Sequence, residues 1–449
     1  MTNRQFKVIL ISMSGVRVYN KKLLELGLTL PGFVDRSKVI ASLPSLGLLT
    51  LAAHTPDNWE IIYKELDNYT ETEIIGIINE RPDIIAFSSL TARINETYSL
   101  ADRFTKQGIK VVIGGLHVSA LPKEAMKFAD SVIQGEGEII WENLLSDYEN
   151  KRLKPFYSSL SNSDYTFHFN DSKIPKYELL DISKYNRLTI QTTRGCPLHC
   201  SFCAASRTIS SYKKKPIAQI ERELNKIFEV WERPFIELAD DNTFVDKVWS
   251  KELLKLFGKY KMKWFTETDI SVAYDDELLE LLAKSNCVQV LIGFETSKAN
   301  GLKGIDRNDW KFKQFDNYLK AIDKIQSYGI SVNGCFILGF DTDTKETFKE
   351  TEKFIKESNL SEVQITLLTP FPGTDLYEQL KQENRLLTDN YWDKCTLFDV
   401  NFIPNNFSVE ELENNFQELM ANIYSVDIVK ERKNKFRQTL KNKIVPTST

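Results

Sequence analysis

Thr193-Arg194-Gly195-Cys196-Pro197-Leu198-His199-Cys200-Ser201-Phe202-Cys203 closes a β-branched run, residues 188–193, and precedes a helical pattern at 217–231. Its cysteines are spaced C-x3-C-x2-C. Three thiolates on one short loop suit three irons of a cubane cluster, whereas ordinary electron-carrying clusters take four protein ligands. The fourth iron is then open to a substrate or cofactor. The competing reading is a zinc site of Cys196, Cys200, Cys203 and His199. Zinc favours four closed ligands, commonly as two separated pairs, and no second pair exists. Cys287, Cys335 and Cys395 stand alone in the chain and read as small buried hydrophobes.

Outward from this loop the β–α alternation sets the architecture. Strand patterns fall at 188–193, 234–238, 263–268, 288–293, 331–338 and 362–368, with helical patterns near 217–231, 249–259, 275–285, 312–327, 343–357 and 374–383. Six units are too few for a complete eight-unit barrel and fit a partial (β/α)6 TIM barrel, whose sites lie at the carboxyl ends of the strands. The cysteine loop occupies that position after the first strand.

The first ~145 residues alternate in the same way, with strands at 6–12, 58–64, 83–88, 109–113 and 130–133. They predict a Rossmann-like parallel sheet. Strand ends finish on small residues, Ser88-Ser89 and Gly114-Gly115, where ligands of doubly wound sheets bind; tight turns alone would also explain these glycines. The expected division is 1–149, a polar linker at 150–185 (Ser158-Ser159-Leu160-Ser161-Asn162-Ser163), the barrel at 186–384, and a helical C-terminal region at 385–449. The basic run Lys430-Glu431-Arg432-Lys433-Asn434-Lys435 reads as a solvated or frayed helix.

The 449-residue composition excludes several classes. Lys and Arg sum to 58 against 62 for Asp and Glu, a net charge of −4, which is no general nucleic-acid surface. No segment approaches the ~20 apolar residues of a membrane span. The start, Met1-Thr2-Asn3-Arg4-Gln5 running into Phe6-Lys7-Val8-Ile9-Leu10-Ile11, has no secretory pattern. The expected location is a reducing cytoplasm, where clustered cysteines mean metal or redox work.

The loop, C-x3-C-x-Φ-C with aromatic Phe202, resembles the radical SAM enzymes over roughly residues 186–384. The resemblance implies a [4Fe–4S] cluster on Cys196, Cys200 and Cys203. Its open iron would chelate S-adenosylmethionine (SAM), which one-electron reduction cleaves to methionine and a 5′-deoxyadenosyl radical. It also implies an external one-electron reductant of flavodoxin or ferredoxin type. Phe202 would pack near the adenine. Asp240-Asp241-Asn242-Thr243-Phe244 is similar to the D-D-N-x-F run that meets the SAM amino group. Gly293-Phe294-Glu295-Thr296 resembles G-F-E-[ST], with Glu295 on the ribose hydroxyls. Gly334-Cys335-Phe336-Ile337-Leu338-Gly339-Phe340 and Thr369-Pro370-Phe371-Pro372-Gly373-Thr374 resemble the later strand-end segments. Thr266, Glu267, Thr268 and Asp269 close the third strand; Glu267 and Asp269 are the substrate-side candidates, with loop solvation as the alternative. No catalytic residue is assigned.

An α/β unit ahead of such a barrel resembles the cobalamin-binding subfamily. Pro44-Ser45-Leu46-Gly47-Leu48-Leu49-Thr50-Leu51-Ala52 is similar to its P-x-L-G-L-x-x-L-A helix. Ser88-Ser89-Leu90-Thr91, Gly114-Gly115-Leu116-His117 and Gln134-Gly135-Glu136-Gly137-Glu138 match its strand-end loops. The resemblance makes Ser88, Leu90, Thr91, Gly114, Gly115, His117, Gly135 and Glu136 cofactor-binding candidates. The glutamates have packing and helix capping as their alternative, and His117 a hydrogen-bonding or core role. The D-x-H-x-x-G motif is absent, which implies a cobalt whose lower face lacks histidine. The implied activity is cobalamin-dependent methylation of an unactivated carbon in a small molecule or natural product. The alternatives are cyclisation or rearrangement without methyl transfer, and an N-terminal unit that binds no cobalamin.

Overall fold

A computed structural model describes residues 5–13, 15, 18–19, 23, 43–161, 167–205 and 208–442. It contains two six-stranded parallel sheets. The first is built from β1 (Phe6–Met13), β2 (Trp59–Glu65), β3 (Ile84–Ser89), β4 (Lys110–Gly114), β5 (Ser131–Gln134) and β6 (Phe156–Ser158), in the order β2-β1-β3-β4-β5-β6. The apolar run of β1 is buried on both faces, as a parallel sheet requires. Ile9 and Ile11 join Phe87 and Phe104 on one side, and Val8 and Leu10 join Trp141 and Leu144 on the other. The order reverses between β1 and β3, so the crevice for a ligand opens beyond their carboxyl ends.

The second sheet runs β7 (Leu188–Ile190), β10 (Phe235–Leu238), β11 (Lys263–Thr268), β12 (Cys287–Glu295), β13 (Ser331–Leu338), β14 (Glu362–Leu367), each strand pairing with the next. This is the sequential order of a barrel wall, and the two end strands do not pair with each other, so the barrel is partial. A two-residue ladder, β8 (Thr193–Arg194) against β9 (Lys213–Lys214), brackets the cysteine loop. Side chains at alternate barrel positions, such as Ile292, Phe294 and Phe336, pack outward against the helices.

Three expectations need correction. The 150–185 stretch is not only a connector: β6 extends the first sheet through β5, and Phe167, Phe169 and Tyr177 are buried. Asn162 and Ser163 lie outside the described residues. Residues 385–408 form no α-helix, only one 3₁₀ turn at Trp392–Lys394. They carry a bridge between Leu386 and Phe402, and place Tyr391, Trp392 and Cys395 in the core of the first sheet. The Tyr391 and Trp392 rings are buried there, which holds the segment against the first sheet. Helices follow at Val409–Ile423, opened by a Ser408–Glu411 capping box, and at Val426–Asn442. Within the basic run Arg432 is buried against the Tyr424 ring, 5.9 Å away, so that helix is seated rather than wholly solvated. No helix among the described residues is long and apolar enough to cross a membrane.

Candidate active site

The strand expected over 188–193 ends at Ile190, because Asp240 holds a bend at Thr192 from which Thr193 leaves into β8. The Asp240 Oδ1 accepts from both backbone amides, at 2.6 and 2.9 Å, and Oδ2 accepts from the Thr192 and Thr243 hydroxyls. Gly195 then takes φ of +80°, and a Cβ there would lie 2.8 Å from the Ser211 carbonyl carbon. Only glycine fits this turn and contact. Its amide donates to Asp241 Oδ2 at 2.9 Å. His199, also left-handed (φ +53°), reverses the chain between Cys196 and Cys200. The Ser201 amide donates to Ile305 O and its carbonyl accepts from Leu376, so the loop is tied to two further elements.

Cys200 is buried, and Cys196 and Cys203 are half-buried. Burial pushes the Cys200 thiol up to about 12, with the Lys311 ammonium the main opposing influence; Cys196 is also raised by burial. Among the described residues no three His, Cys, Asp or Glu side chains form a group that would hold a single metal ion as they stand. Three thiols on a pinned loop are a donor set suited to a multi-iron cluster, in which each ligates its own iron.

The acidic run after β10 divides its tasks. Asp240 is committed to the bend and is 4% exposed, so the part in SAM binding expected of it is replaced by a positioning one. Asn242 stands beside the loop, its Nδ2 donating to Asp269 Oδ2 at 2.8 Å and lying 3.9 Å from Cys196 Sγ. Asp269 also caps the turn at Ser271 (2.7 Å). Glu267 differs, having no side-chain partner among the described residues. It points into the barrel lumen, wetted but ringed by carboxylates. Enclosure by the walls, together with Glu237, Asp241, Asp240 and Glu295, pushes its carboxyl up to about 8.

At the end of β12, Glu295 is left-handed (φ +66°) and 7% exposed. Its Oε1 pairs with Lys311 Nζ at 2.8 Å, and the same ammonium donates to Gly293 O at 2.7 Å. Lys311 was not legible as a site residue; its only signal is a lysine in a helical turn beyond G-F-E-T. Phe202 packs edge-to-face on Phe340, with ring centres 5.8 Å apart.

Beyond the carboxyl edge of the first sheet lies a cavity of about 290 Å³. Its wall includes Ser88 and the glycines 47, 114, 115, 135 and 137, and a Cβ on Gly47 would meet nothing within 4 Å. Leu90 and Leu116 stand exposed near this edge, and Thr91 opens the turn after Leu90. This small-residue cradle lets the slender tail of a cofactor lie against the backbone, and its apolar rim suits a flat group resting outside it. His117 does not belong to it. It is buried, its Nε2 lies 3.2 Å from Glu124 Oε1, and it packs against Trp392, so its place as a cofactor-binding candidate is corrected to a core one.

Glu136 and Glu138, also on the cavity wall, reach across to the barrel. Arg194, two residues before Cys196, meets Glu138 at 2.6 Å and Glu136 at 3.3 Å. It stacks on Phe167 at 4.5 Å and Phe169 at 5.4 Å, and Lys213 adds a second cation 3.2 Å from Glu136. The glutamates therefore lock the cavity to the cysteine loop, a pairing between distant segments that no local motif reveals.

Residues 190–355 match the radical SAM superfamily, 34–145 the B12 binding domain, and 374–448 a domain of unknown function. The bacteriochlorophyllide d C-12(1)-methyltransferase of Chlorobaculum tepidum is 29% identical over 78% of this chain and 76% of its own length. The anaerobic magnesium-protoporphyrin IX monomethyl ester cyclase of Rubrivivax gelatinosus is 24% identical over 67% of this chain and 59% of its own. In fold, the chain is similar to the radical SAM methyltransferase TsrM from Kitasatospora setae, solved with cobalamin and a [4Fe–4S] cluster. That likeness has a TM-score of 0.71 at 13% identity, covering 97% of this chain and 99% of that one. The two matched domains imply a [4Fe–4S] cluster, SAM and cobalamin as the cofactors. With the thiol loop on the barrel and the glycine cradle on the sheet facing it, the chain is a radical SAM enzyme that carries a B12-binding domain ahead of its barrel.

Proposed function

We propose that this enzyme is a cobalamin-dependent methyltransferase acting on an unactivated carbon of a small-molecule or natural-product substrate. The observation that carries the reading is the junction at Arg194, where the wall of the glycine-lined cavity meets the cysteine loop. A methyl carrier seated in one unit would thereby lie beside the radical source in the other. Residues 1–149 would hold cobalamin, 186–384 the cluster and SAM, with 150–185 joining them and 385–449 closing over both. When bound, these groups supply reductive cleavage of SAM and carriage of a methyl group.

The chain's own residues then have defined tasks. Cys196, Cys200 and Cys203 hold the cluster, and Asp240 and Asp241 fix the loop that presents them. Asn242 and Glu295 orient SAM, while Phe202 and Phe340 border its adenine. Glu267, the free carboxyl of the lumen, faces the substrate. Each methylation consumes two SAM and two electrons from an external one-electron donor. One SAM leaves S-adenosylhomocysteine, the other leaves methionine, and the substrate hydrogen ends in 5′-deoxyadenosine.

The cyclase relative motivates a second reading, cyclisation without methyl transfer. Anaerobic turnover with candidate substrates and methyl-labelled SAM separates them. Methylation gives labelled product with S-adenosylhomocysteine and 5′-deoxyadenosine in equal amounts. Cyclisation gives 5′-deoxyadenosine without stoichiometric S-adenosylhomocysteine. A chain that retains no hydroxocobalamin would sink both cobalamin readings.

A further inference from the structure

The Lys311–Glu295 pair is held from several sides. Asp306 Oδ1 accepts from the Asn308 and Trp310 amides, and its Oδ2 accepts from the Lys311 amide at 3.1 Å, fixing the backbone under the lysine. The ammonium reaches Gly293 O and Glu295 Oε1 and is 5% exposed. A Cβ on Gly293 would fall 2.3 Å from Glu295 Oε1 and 3.2 Å from Lys311 Nζ, so the glycine leaves the space in which the pair folds back. The turn carrying Lys311 is also bonded to the cysteine loop through Ser201 and Ile305. An isolated buried ammonium would shed its proton; burial works against this one, and the Glu295 carboxylate overrides it and keeps it charged. The result is a fixed cation on the segment that the Ser201–Ile305 bond ties to the cysteine loop.

We propose that Lys311 is a positioning residue with an electrostatic task. It holds Glu295 by one carboxylate oxygen, leaving the other for the ribose of SAM, and it is the fixed counter-charge that eases reduction of the cluster on Cys200. The proposal rests on the reading that the three cysteines carry the cluster. Reduction adds one negative charge to the cluster, and a cation held nearby in a low-dielectric wall stabilises that charge. Glu295 acts in the opposite sense.

The test uses the full chain, reconstituted anaerobically with iron and sulfide, as wild type, Lys311→Met, Lys311→Arg, Glu295→Gln and the double variant Lys311→Arg with Glu295→Gln. Potentiometric titration without SAM, followed by electron paramagnetic resonance, reads the reduced fraction, and equilibrium dialysis reads SAM affinity. Lys311→Met is expected to lower the reduced-to-oxidised ratio at fixed potential about tenfold, or about 59 mV for a one-electron couple. Lys311→Arg should restore most of it, and the double variant, whose guanidinium keeps its charge without a partner, should shift it the other way. SAM affinity should fall in both Lys311→Met and Glu295→Gln. Opposite shifts on removing the two members of one ion pair are not what general misfolding produces. Normal iron content with an unmoved potential in Lys311→Met, or shifts of the same sign in Lys311→Met and the double variant, overturns the proposal. A wild-type chain that takes up no iron overturns the cluster reading itself, and this proposal with it.

Discussion

Replacing Arg194 with Met tests the junction between the two units most directly. The guanidinium is the partner within 4 Å of the nearly buried Glu138 carboxylate, whereas Glu136 keeps Lys213 at 3.2 Å. Breaking a buried pair by removing one member costs about 3–5 kcal/mol, and the surviving cation on Glu136 argues for the lower end. Loss of the stack on Phe167 adds about 1 kcal/mol, part of which a methionine side chain recovers through its own contact with the ring. The expected loss is therefore about 3–4 kcal/mol, read as an earlier first transition in urea unfolding of the apo chain. The pH dependence has a definite sign. Burial pushes the Glu138 carboxyl up, but Arg194 more than offsets this and holds it below its ordinary value of 4.5. A carboxyl depressed in the fold contributes stability above that ordinary value and loses it as pH falls through the folded value. Without Arg194, burial alone acts on Glu138, and its charge becomes a cost at neutral pH that protonation relieves. The gap between variant and wild type should then narrow below about pH 4.5. Adding Glu138→Gln to Arg194→Met should recover about 1–2 kcal/mol at pH 7, because no orphaned charge remains. A loss under about 1 kcal/mol, or a double variant no more stable than the single one, would refute the reasoning.

Three further outcomes are expected. Gly195→Ala forces a side chain into a left-handed turn, costing about 1–2 kcal/mol, and against Ser210 and Ser211; iron per chain after reconstitution should fall by more than half while far-ultraviolet circular dichroism is kept. Asp240→Ala leaves the amides of Thr192 and Thr193 without their buried acceptor and should destabilise by about 3 kcal/mol, with Asp240→Asn losing less, measured as the midpoint in urea. Glu267 has a folded value raised to about 8 from 4.5, so the fold binds its proton more tightly than the unfolded chain does. Its contribution is present at low pH and is lost as pH rises between these values. Melting temperature should decline less across that window in Glu267→Gln, and an unchanged slope would remove the enclosed carboxyl from the account.

What the sequence discloses and what it conceals divide along one physical line. The β1 run, the C-x3-C-x2-C spacing and the six-unit barrel are local patterns, because strand burial and a three-thiol loop are encoded by neighbours in the chain. Asp240 and Asp241 look equivalent in sequence, yet successive residues at a strand end point opposite ways. One therefore turns into the fold to hold Thr192 and Thr193, and the other bonds Gly195. His117 follows a glycine loop that does line the cavity, and only the return of residues 391–395 to the first sheet makes it a core residue beneath Trp392. Two charge clusters, Arg194 with Glu136 and Glu138, and Lys311 with Glu295, join segments that no periodicity connects. Each needs tertiary burial to exist, since an exposed pair of the same types contributes about 0–1 kcal/mol and leaves no pattern to detect. The cysteines that hold chemistry are thus readable from the chain, while the charges that set its electrostatics become readable only when the barrel and the sheet are brought together.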